Sequence, residues 1–313
     1  MDNLNKTGKK LRVTVFGGTG FLGSHVVDAL YSSGCEVVVF DRVKSPFLRD
    51  GQKMYIGDIL DEDMVENVVV GSEVVYNFAG VADIKAAGEN PLETIKTNII
   101  GNTNILEACR KHAVKRFVFA STVYVYSELA SFYRSSKQAC ELIIESYQKK
   151  FGLEYTILRY GSLYGPRATK TNFIYKVIEQ SIKEGRITRK GDGREIRDYI
   201  HVIDAAQCSI KILNDDYKNQ NVLITGTQTI RIKDLLEMIK EIMSPEIVIE
   251  YVPGCIEDHY EITPYCFKPR SAKKLILENY HDLGQGILEC IYDINSRLNP
   301  LSQDLADIKK QLY

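Results

Sequence analysis

Three glycines at three-residue spacing separate an apolar run from a helix-like segment near the start of the chain. The run occupies residues 13–16, and the glycines are Gly17, Gly20 and Gly23. Gly17 allows a tight turn, Gly20 lets the backbone approach a pyrophosphate, and Gly23 lets the new helix pack closely on the strand. A pyrophosphate there meets a helix N-terminus, whose free N–H groups favour an anion. The strand–loop–helix context therefore predicts a dinucleotide site, although the glycine spacing alone is weak evidence.

Short β-rich runs alternate with helical periodicity, which predicts parallel strands joined by crossover helices. The predicted fold is α/β: a Rossmann doubly wound parallel sheet over residues 11–160, a smaller mixed α/β substrate lobe over 161–300 that returns some strand to the main sheet, and a helical tail over 301–313. Strands are predicted at 11–16, 36–41, 53–57, 73–78, 115–120, 154–159, 221–225 and 247–252. Helices are predicted at 21–33, 61–70, 91–111, 131–150, 172–184, 203–214, 231–243, 271–279 and 285–298.

Composition narrows the range of partners and compartments. Forty Lys and Arg against 41 Asp and Glu give a net charge of −1, so no basic field indicates nucleic acid. The chain contains no run of about 18 apolar residues and its first ten residues lack a signal-peptide core, so neither a membrane partner nor export is predicted. Seven cysteines without a CxxC pair are typical of reduced thiols in the cytoplasm. The five histidines are far apart in sequence, and no metal site is predicted.

Two carboxylates lie at or just after the ends of predicted strands, where they could contact the cofactor. Asp41 ends the second strand, where it would accept hydrogen bonds from the adenosine ribose and repel a 2′-phosphate, so NAD is predicted over NADP. A turn aspartate is the alternative interpretation of Asp41, and the neighbouring Arg42 leaves an opening for NADP. Asp58, after the third strand, is predicted either to receive the adenine amino group or to cap the next helix.

One tyrosine–lysine pair carries the predicted chemistry. Tyr133 is the only one of 19 tyrosines with a lysine, Lys137, four residues later, a spacing that puts both side chains on one helix face. The lysine charge favours phenolate, which can take a proton from a sugar hydroxyl while hydride leaves the carbon. An exposed helical pair is the competing interpretation. Upstream, Ser121 and Thr122 end a strand, where a hydroxyl can hold the same substrate oxygen.

Taken in order, the motifs resemble those of an extended short-chain dehydrogenase/reductase of the nucleotide-sugar epimerase and dehydratase group, from residue 12 to about 283. Besides the glycine loop, the resemblance rests on residues 77–80, 98–104, 121–126, 159–167 and 191–204. It implies a Rossmann fold, NAD as the cofactor and a nucleotide-diphosphate sugar as the substrate.

The resemblance also implies a role for individual residues. Thr122 inherits the catalytic hydroxyl, Tyr133 the acid/base function, and Lys137 the lysine that also holds the nicotinamide ribose. The residues implied to contact the cofactor are Gly17, Thr19, Gly20, Phe21, Leu22, Gly23, Asp41, Arg42, Asp58, Ile59, Phe78, Ala79, Gly80, Asn98, Tyr133, Lys137 and Tyr160. Those implied to contact the substrate are Val81, Thr122, Ser162, Asn172, Arg189, Arg197 and His259. Arg197 falls on the family's phosphate-binding arginine, which can grip a diphosphate bidentately.

Departures from the family pattern bear on the reaction. Val123 and Tyr124 occupy the positions of the Asp-Glu pair that the 4,6-dehydratases use, so dehydration is not expected. The segment between Thr122 and Tyr133 is shorter than in most relatives, which predicts a more open site. Ser162 replaces an asparagine of the family, and His259 falls where an arginine is usual.

The resemblance implies that Tyr133 and Lys137 oxidise the C4 hydroxyl of the sugar to a ketone, with NAD as the hydride acceptor. Two outcomes of this oxidation then compete. A 4-dehydrogenase releases the 4-keto sugar and passes its electrons to an acceptor such as a 2-oxo acid, whereas a 4-epimerase returns hydride to the opposite face. The shortened segment favours the dehydrogenase, with a GDP-heptose of bacterial surface-polysaccharide synthesis as the candidate substrate. A non-catalytic NAD sensor is a third hypothesis, disfavoured by the retained tyrosine–lysine pair. The helices near 91–111 and 131–150 resemble the family's dimer interface, which implies a homodimer, although their apolar faces could instead pack on the sheet.

Overall fold

The computed structural model describes residues 10–227, 229–254, 273–275, 277 and 279–299. These residues form two compact units that interleave along the chain. The first contains residues 10–161, Ala205–Thr225 and the described part of Asp258–Leu277. The second contains Ser162–Asp204 and the described parts of Gly226–Glu257 and Glu278–Tyr313. The predicted substrate-binding role of 161–300 stays a prediction, and residues 205–225 of that range belong to the first unit.

The regular elements alternate between strand and helix along much of the chain. The strands are β1 (Arg12–Phe16), β2 (Glu36–Asp41), β3 (Lys53–Ile56), β4 (Val74–Asn77), β5 (Arg116–Thr122), β6 (Glu154–Tyr160), β7 (Ser162–Tyr164), β8 (Arg186–Lys190), β9 (Ile196–His201), β10 (Gln220–Ile224), β11 (Thr229–Arg231), β12 (Val248–Val252) and β13 (Lys273–Lys274). The α-helices are α1 (Phe21–Ser32), α2 (Glu62–Val69), α3 (Ile84–Glu89), α4 (Pro91–Ile95), α5 (Gly101–Lys111), α6 (Ser131–Phe151), α7 (Phe173–Glu184), α8 (Val202–Lys211), α9 (Ile232–Met243) and α10 (Leu283–Leu298).

The first unit is built on a parallel sheet. Within the described residues its eight strands follow the order β13-β10-β6-β5-β4-β1-β2-β3. The chain runs outward from β1 through β2 and β3 and then returns to β4 on the other side of β1, so the strand order reverses between β1 and β4. In open α/β sheets, ligands bind at the carboxyl ends of the strands beside such a reversal. The predicted α/β Rossmann fold is confirmed.

Burial explains why the apolar runs form the centre of this sheet. Val13, Val15 and Phe16 of β1 are each fully buried, and Val37–Phe40 of β2 are at most 3% exposed. A parallel sheet covered by helices on both faces buries successive side chains, so its strands are continuously apolar rather than alternating. That pattern made β1, β2, β4, β5 and β6 predictable to within about two residues, whereas β3 was also predicted but lies at the edge of the sheet and is largely exposed.

Two helix predictions differ from the structure. The predicted helix 91–111 is α4, a π-helical turn at Lys96–Ile100 and then α5, while α3 before it was missed. The predicted helix 271–279 is wrong at its centre, because Lys273 and Lys274 form β13, in which Lys273 pairs with Val222 of β10. Two lysines beside leucines have no strand signal of their own, and pairing to the sheet edge decides their conformation. The predicted tail 301–313 lies outside the described residues.

The second unit has its own small sheets. A three-stranded sheet has the order β11-β9-β7, and β8 and β12 form a parallel pair. Strand β9 pairs antiparallel with β11 and parallel with β7. Of these strands only β12 was predicted; β7 and β11 have three residues each, and charged residues interrupt β8 and β9. No helix among the described residues of the chain is both long and apolar enough to cross a bilayer.

A buried ion pair joins helix α6 to the sheet of the first unit. The Arg159 guanidinium donates from Nε and Nη2 to the two oxygens of Glu141, at 3.0 and 2.8 Å. Ser121 Oγ donates to the same carboxylate at 2.6 Å, and Arg159 Nη1 donates to the Tyr126 hydroxyl at 2.6 Å. Arg159 and Glu141 are each 1% exposed. One helix and two strands are thus held by a single buried network.

Removing the carboxylate alone should destabilise the fold strongly. Glu141→Ala leaves the Arg159 charge buried without compensation, and we expect the free energy of unfolding to fall by about 3–5 kcal/mol. Urea denaturation followed by circular dichroism measures this change. Glu145→Ala, one turn later on the same helix and only half-buried, is the matched control and should change the free energy by less than about 0.5 kcal/mol. Equal effects of the two substitutions would contradict the importance of the pair.

Candidate active site

The glycine loop connects β1 to α1 at the carboxyl edge of the main sheet. Gly17 has φ +74° and donates its N–H to the Phe40 carbonyl at 2.9 Å. A Cβ on Gly17 would lie 2.5 Å from the Ala79 nitrogen, and one on Gly23 would overlap the Gly17 carbonyl oxygen. At Gly20 a Cβ would approach only that carbonyl oxygen, at 3.2 Å, so this side of the loop is open. The loop is thus a backbone cradle at a helix N-terminus that fits a pyrophosphate.

Asp41 lies beside this loop at the end of β2. Its Oδ2 accepts a hydrogen bond from the Thr19 N–H at 3.0 Å, and Thr19 Oγ1 donates to the Val43 carbonyl at 3.1 Å. The carboxylate also approaches the Val43 N–H at 3.5 Å, as a turn aspartate would. Asp41 therefore joins the second strand to the glycine loop, which is the position from which a ribose is recognised. Phe21 and Leu22 begin α1 half-buried, and Arg42 is exposed.

The capping alternative for Asp58 is wrong. The N-cap of α2 is Asp61, whose carboxylate accepts from the Met64 N–H at 3.0 Å. Asp58 Oδ1 instead accepts from the Leu60 N–H at 3.0 Å, which makes a local turn. Sequence reasoning placed the cap one turn too early because both aspartates precede the helix. Ile59 is buried, and a Cβ on Gly101 would lie 2.5 Å from its Cδ1.

Asn98 organises the segment that follows β4. Its side chain accepts from the Val81 N–H at 2.7 Å and donates to the Val81 carbonyl at 3.1 Å and to Ser136 Oγ at 2.9 Å. Asn98 itself lies in the π-helical turn, a feature that often marks functional positions. Residues 78–81 are thereby tied to α6. Phe78 is half-buried and stacks on Tyr76 with ring centroids 5.9 Å apart.

Helix α6 carries the predicted acid/base pair. Lys137 is 6% exposed, donates Nζ to the Ala120 carbonyl at 2.9 Å, and lies 4.7 Å from the centre of the Phe119 ring. Burial lowers the pKa of Lys137. The interpretation of residues 133 and 137 as an exposed helical pair is therefore wrong for the lysine. Tyr133 is half-buried and meets the Tyr124 ring edge-on, with centroids 6.2 Å apart.

The backbone at the start of α6 is unusual. Ala130 and Ser131 have φ values of +67° and +36°, which non-glycine residues rarely adopt. Such conformations concentrate at functional sites, where the surrounding structure maintains them. Gly80 has φ +149°, and a Cβ on it would lie 3.9 Å from Lys137 Nζ. The segment after β4 and the first turns of α6 thus meet at Lys137.

The two hydroxyls at the end of β5 differ in their bonding. The Ser121 hydroxyl donates to Glu141, whereas Thr122 Oγ1 accepts from the Tyr124 N–H at 3.2 Å. The bond at Thr122 uses a lone pair of the oxygen rather than its proton, so Thr122 keeps the capacity to donate. This difference favours Thr122 over Ser121 for a substrate contact. The predicted cofactor residue Tyr160 is buried, with its hydroxyl 2.6 Å from Ser209 Oγ, so only its ring is available to border a cofactor.

The predicted substrate residues of the second unit include two neighbouring arginines. Arg189 donates to Glu195 at 2.8 Å and lies 5.2 Å from the centre of the Phe173 ring. Burial and then the nearby Arg197 charge lower the pKa of Arg189, while Glu195 opposes the effect. Arg189 Nε is buried without a hydrogen-bond partner among the described residues. The buried Arg189 guanidinium, with the Arg197 charge near it and one N–H without a partner in the described part of the chain, suits an anion.

Other predicted substrate residues have structural contacts. Asn172 caps α7, since Oδ1 accepts from the Tyr175 N–H at 3.2 Å, and its Nδ2 donates to the Leu163 carbonyl at 2.8 Å. Ser162 begins β7, where it pairs with Tyr199 of β9. His259 lies outside the described residues.

The structure also assembles groups that sequence reasoning missed. His201 and His281, which are far apart in sequence, stack with ring centroids 4.4 Å apart, and Glu289 lies beside them. The separation of the two histidines along the sequence gave no indication of this contact. Glu141, four residues after Lys137, could have been found because it continues the helix face of Tyr133 and Lys137. The histidine cluster had no comparable signal.

Comparison with known proteins identifies the class of protein. Residues 13–224 match the family described as the NAD dependent epimerase/dehydratase family. A putative UDP-glucose 4-epimerase of Methanocaldococcus jannaschii is 33% identical over 73% of this chain and 81% of the relative. UDP-glucuronic acid decarboxylase 1 of Arabidopsis thaliana is 27% identical over 93% of this chain and 71% of the relative. Among solved structures, the UDP-glucose 4-epimerase of Thermotoga maritima with UDP-glucose is 27% identical, with a TM-score of 0.79 over 92% of this chain and 99% of that chain.

The chain belongs to the NAD dependent epimerase/dehydratase family, within the extended short-chain dehydrogenases/reductases, and its cofactor is NAD. The open glycine cradle and Asp41 fit this cofactor.

Asp41 provides a test of the adenosine end of the cofactor site. Asp41→Asn keeps an acceptor for the Thr19 N–H but removes the charge that repels a 2′-phosphate. We expect the preference for NAD over NADP to fall roughly tenfold or more, the equivalent of about 1.4 kcal/mol. Calorimetric titration with each dinucleotide measures both affinities, and Asp50→Asn in the following loop is the control. An unchanged ratio of affinities would exclude Asp41 as the selecting residue.

Proposed function

We propose that the protein oxidises the C4 hydroxyl of a nucleotide-diphosphate sugar to a ketone. The observation that carries this proposal is the burial of Lys137, which lies four residues after Tyr133 on α6 and beside the segment that follows β4. Tyr133 removes the hydroxyl proton as phenolate, and Lys137 favours that phenolate through its charge. Thr122 orients the same oxygen by donating its hydroxyl proton. NAD, when bound, supplies the hydride acceptor.

The nucleotide diphosphate is assigned to the arginines of the second unit. Arg197 is 8% exposed and donates Nη1 to the neighbouring Ile196 carbonyl at 2.9 Å, which restrains the guanidinium. A planar guanidinium with several donors can hold two phosphate oxygens at once. Arg189 adds the unpartnered Nε described above. Relatives support this class of substrate, because one solved structure contains UDP-glucose.

Net 4-dehydrogenation is the favoured outcome. Val123 and Tyr124 supply no acid/base pair for dehydration; Val123 is buried and the Tyr124 ring packs on Tyr133. Only ten residues separate Thr122 from Tyr133, which leaves little chain to cover the sugar and hinder release of a ketone. We propose a GDP-heptose of bacterial surface-polysaccharide synthesis as the sugar, with a 2-oxo acid as the acceptor that completes the redox balance by becoming the 2-hydroxy acid.

A 4-epimerase is the second candidate. It is favoured by the 33% identical relative, a putative UDP-glucose 4-epimerase. An epimerase shares the first half-reaction and differs in retaining the ketone until hydride returns to its other face. A non-catalytic NAD sensor has less support, because a buried lysine one turn from a tyrosine is costly to keep without chemistry.

A homodimer is also proposed, through α4, α5 and α6. Several large apolar side chains on this surface face solvent, among them Leu92 at 66% and Leu142 at 55% exposure. Exposed apolar side chains that gather on one surface commonly mark an interface. These side chains argue against the alternative in which the apolar faces of the helices are wholly used by the sheet.

The product distinguishes the two candidate reactions, and Tyr133→Phe tests their shared step. The wild-type protein is incubated with NAD and UDP-, GDP-, CDP- or TDP-sugars, including a GDP-heptose, with and without a 2-oxo acid, and proton NMR reads the sugars. A 4-keto sugar with matching NADH, or with the 2-hydroxy acid, supports the dehydrogenase. A C4 epimer without NADH supports the epimerase.

Tyr133→Phe should lower kcat about 10²–10⁴-fold and leave NAD binding unchanged.

The control for this substitution is Tyr31→Phe, which removes an exposed hydroxyl bonded to the Asp50 carbonyl and should not alter kcat. Wild-type turnover by Tyr133→Phe would refute the proposed acid/base role.

Arg197→Ala tests the diphosphate assignment separately. Loss of charge-assisted hydrogen bonds should weaken binding of GDP or UDP, whichever the wild type prefers, by about 10–100-fold, because such bonds are worth roughly 1.5–3 kcal/mol. Titration calorimetry with the free nucleoside diphosphates measures this effect, and NAD affinity should not change. The exposed Arg194, paired with Asp192 at 3.0 Å, supplies the control variant Arg194→Ala. Similar affinities for all three proteins would disprove the assignment.

A further inference from the structure

A cluster of two histidines and two carboxylates lies within the second unit. His201 ends β9, Asp204 lies in the first turn of α8, His281 precedes α10, and Glu289 lies on α10. His201 Nε2 is 3.4 Å from Glu289 Oε2, and one ligand atom each from His201, His281 and Glu289 lies within 4.8 Å of the other two. None of these side chains has a part in the proposed oxidation.

Asp204 fixes the orientation of His281. Its two oxygens accept from the His281 backbone N–H at 2.9 Å and from the ring nitrogen Nδ1 at 2.6 Å. With Nδ1 so engaged as a donor, Nε2 is the nitrogen with a lone pair available to a ligand. Metal-binding histidines are commonly held in this way, with a carboxylate on the second ring nitrogen. The Asp204–His281 contact is therefore the arrangement that prepares an imidazole for a metal ion.

The surroundings favour a positive charge in the cluster. Asp204 is 4% exposed and His201 is 1% exposed, and the Tyr164 ring covers His201 edge-on with centroids 5.2 Å apart. Two carboxylates with two neutral imidazoles carry two negative charges in this half-buried space. Such buried negative charge is compensated either by protons on the imidazoles or by a bound divalent cation.

We propose that His201, His281 and Glu289 bind one Zn²⁺ ion, with Asp204 holding His281 and water as the fourth ligand. Two imidazoles and one carboxylate form a donor set that suits zinc, whereas calcium and magnesium prefer oxygen ligands. Donor atoms on tetrahedral zinc are ~3.3 Å apart, given metal–ligand distances of about 2.0–2.1 Å. His201 and Glu289 already approach this separation, and the ligand atom of His281 lies within 4.8 Å of theirs.

Zinc at this position would act as a structural link. His201 and His281 are separated by 80 residues in the sequence, so one ion would join the end of β9 to the start and the second turn of α10. A ligand that binds only the folded state raises its stability. The ion would therefore stabilise the second unit whether or not the proposed oxidation is correct.

The test uses the full-length chain without an affinity tag, treated with EDTA and then titrated with ZnCl₂ by calorimetry. We expect one zinc per chain, confirmed by elemental analysis after gel filtration, and a higher Tm with zinc. His281→Gln and Glu289→Gln should each abolish the stoichiometric binding. Asp204→Asn, which preserves shape, should weaken it about 10–100-fold. The control is His112→Gln, because His112 also contacts a carboxylate, Glu66 at 3.3 Å, outside the cluster.

Three results would overturn the proposal. The first is a wild-type protein that binds no zinc, which would leave protonation as the means of charge compensation. The second is unchanged zinc affinity in both His281→Gln and Glu289→Gln. The third is a thiolate charge-transfer band on substitution with Co²⁺, because the proposed ligands are nitrogen and oxygen and such a band requires cysteine. Because these readouts involve no sugar or NAD, they are independent of the proposed function.

Discussion

The ion pair between Glu141 and Arg159 is the constraint on which the placement of α6 depends. A carboxylate and a guanidinium that are both removed from water must satisfy each other, so the helix and strands β5 and β6 have one acceptable arrangement. Tyr133, Lys137 and Glu141 recur every four residues along α6, so that fixing Glu141 also fixes the face that carries the other two. Lys137 can therefore be buried against Phe119 and Ala120 with a defined direction.

The cofactor loop depends on backbone geometry in a comparable way. Gly17 packs against Ala79 so closely that no side chain fits, and Asn98 holds Val81, two residues further on, to α6. The loop after β1, the segment after β4 and the start of α6 are thus connected by contacts between main chain and buried side chains. The NAD dependent family to which the chain belongs is recognisable from these short motifs because each motif satisfies a steric requirement.

The elements that were predictable and those that were not differ in where their determining contacts lie. Strands such as β1 and β2 are largely apolar because both sheet faces are covered, and that pattern can be recognised from a few consecutive residues of the sequence. The break of residues 91–111 into α4, a π turn and α5 follows from Asn98 reaching Val81 and Ser136, both distant in sequence. β13 likewise depends on β10, some 50 residues earlier. For Asp58, two nearby aspartates offered equivalent caps, and local sequence could not choose between them.

The sequence by itself determined the α/β class and the glycine loop. It also supplied two predictions, the preference for NAD at Asp41 and the acid/base pair of Tyr133 and Lys137. These features depend on spacing of about four residues or fewer, or on apolar runs, which are local properties of the chain. Only the tertiary structure decided that Lys137 is buried, that Ser121 is bound by Glu141 while Thr122 keeps its proton, and that His201, His281 and Glu289 meet. Burial and long-range contacts depend on which surfaces the folded chain brings together, and no short window of sequence contains that information.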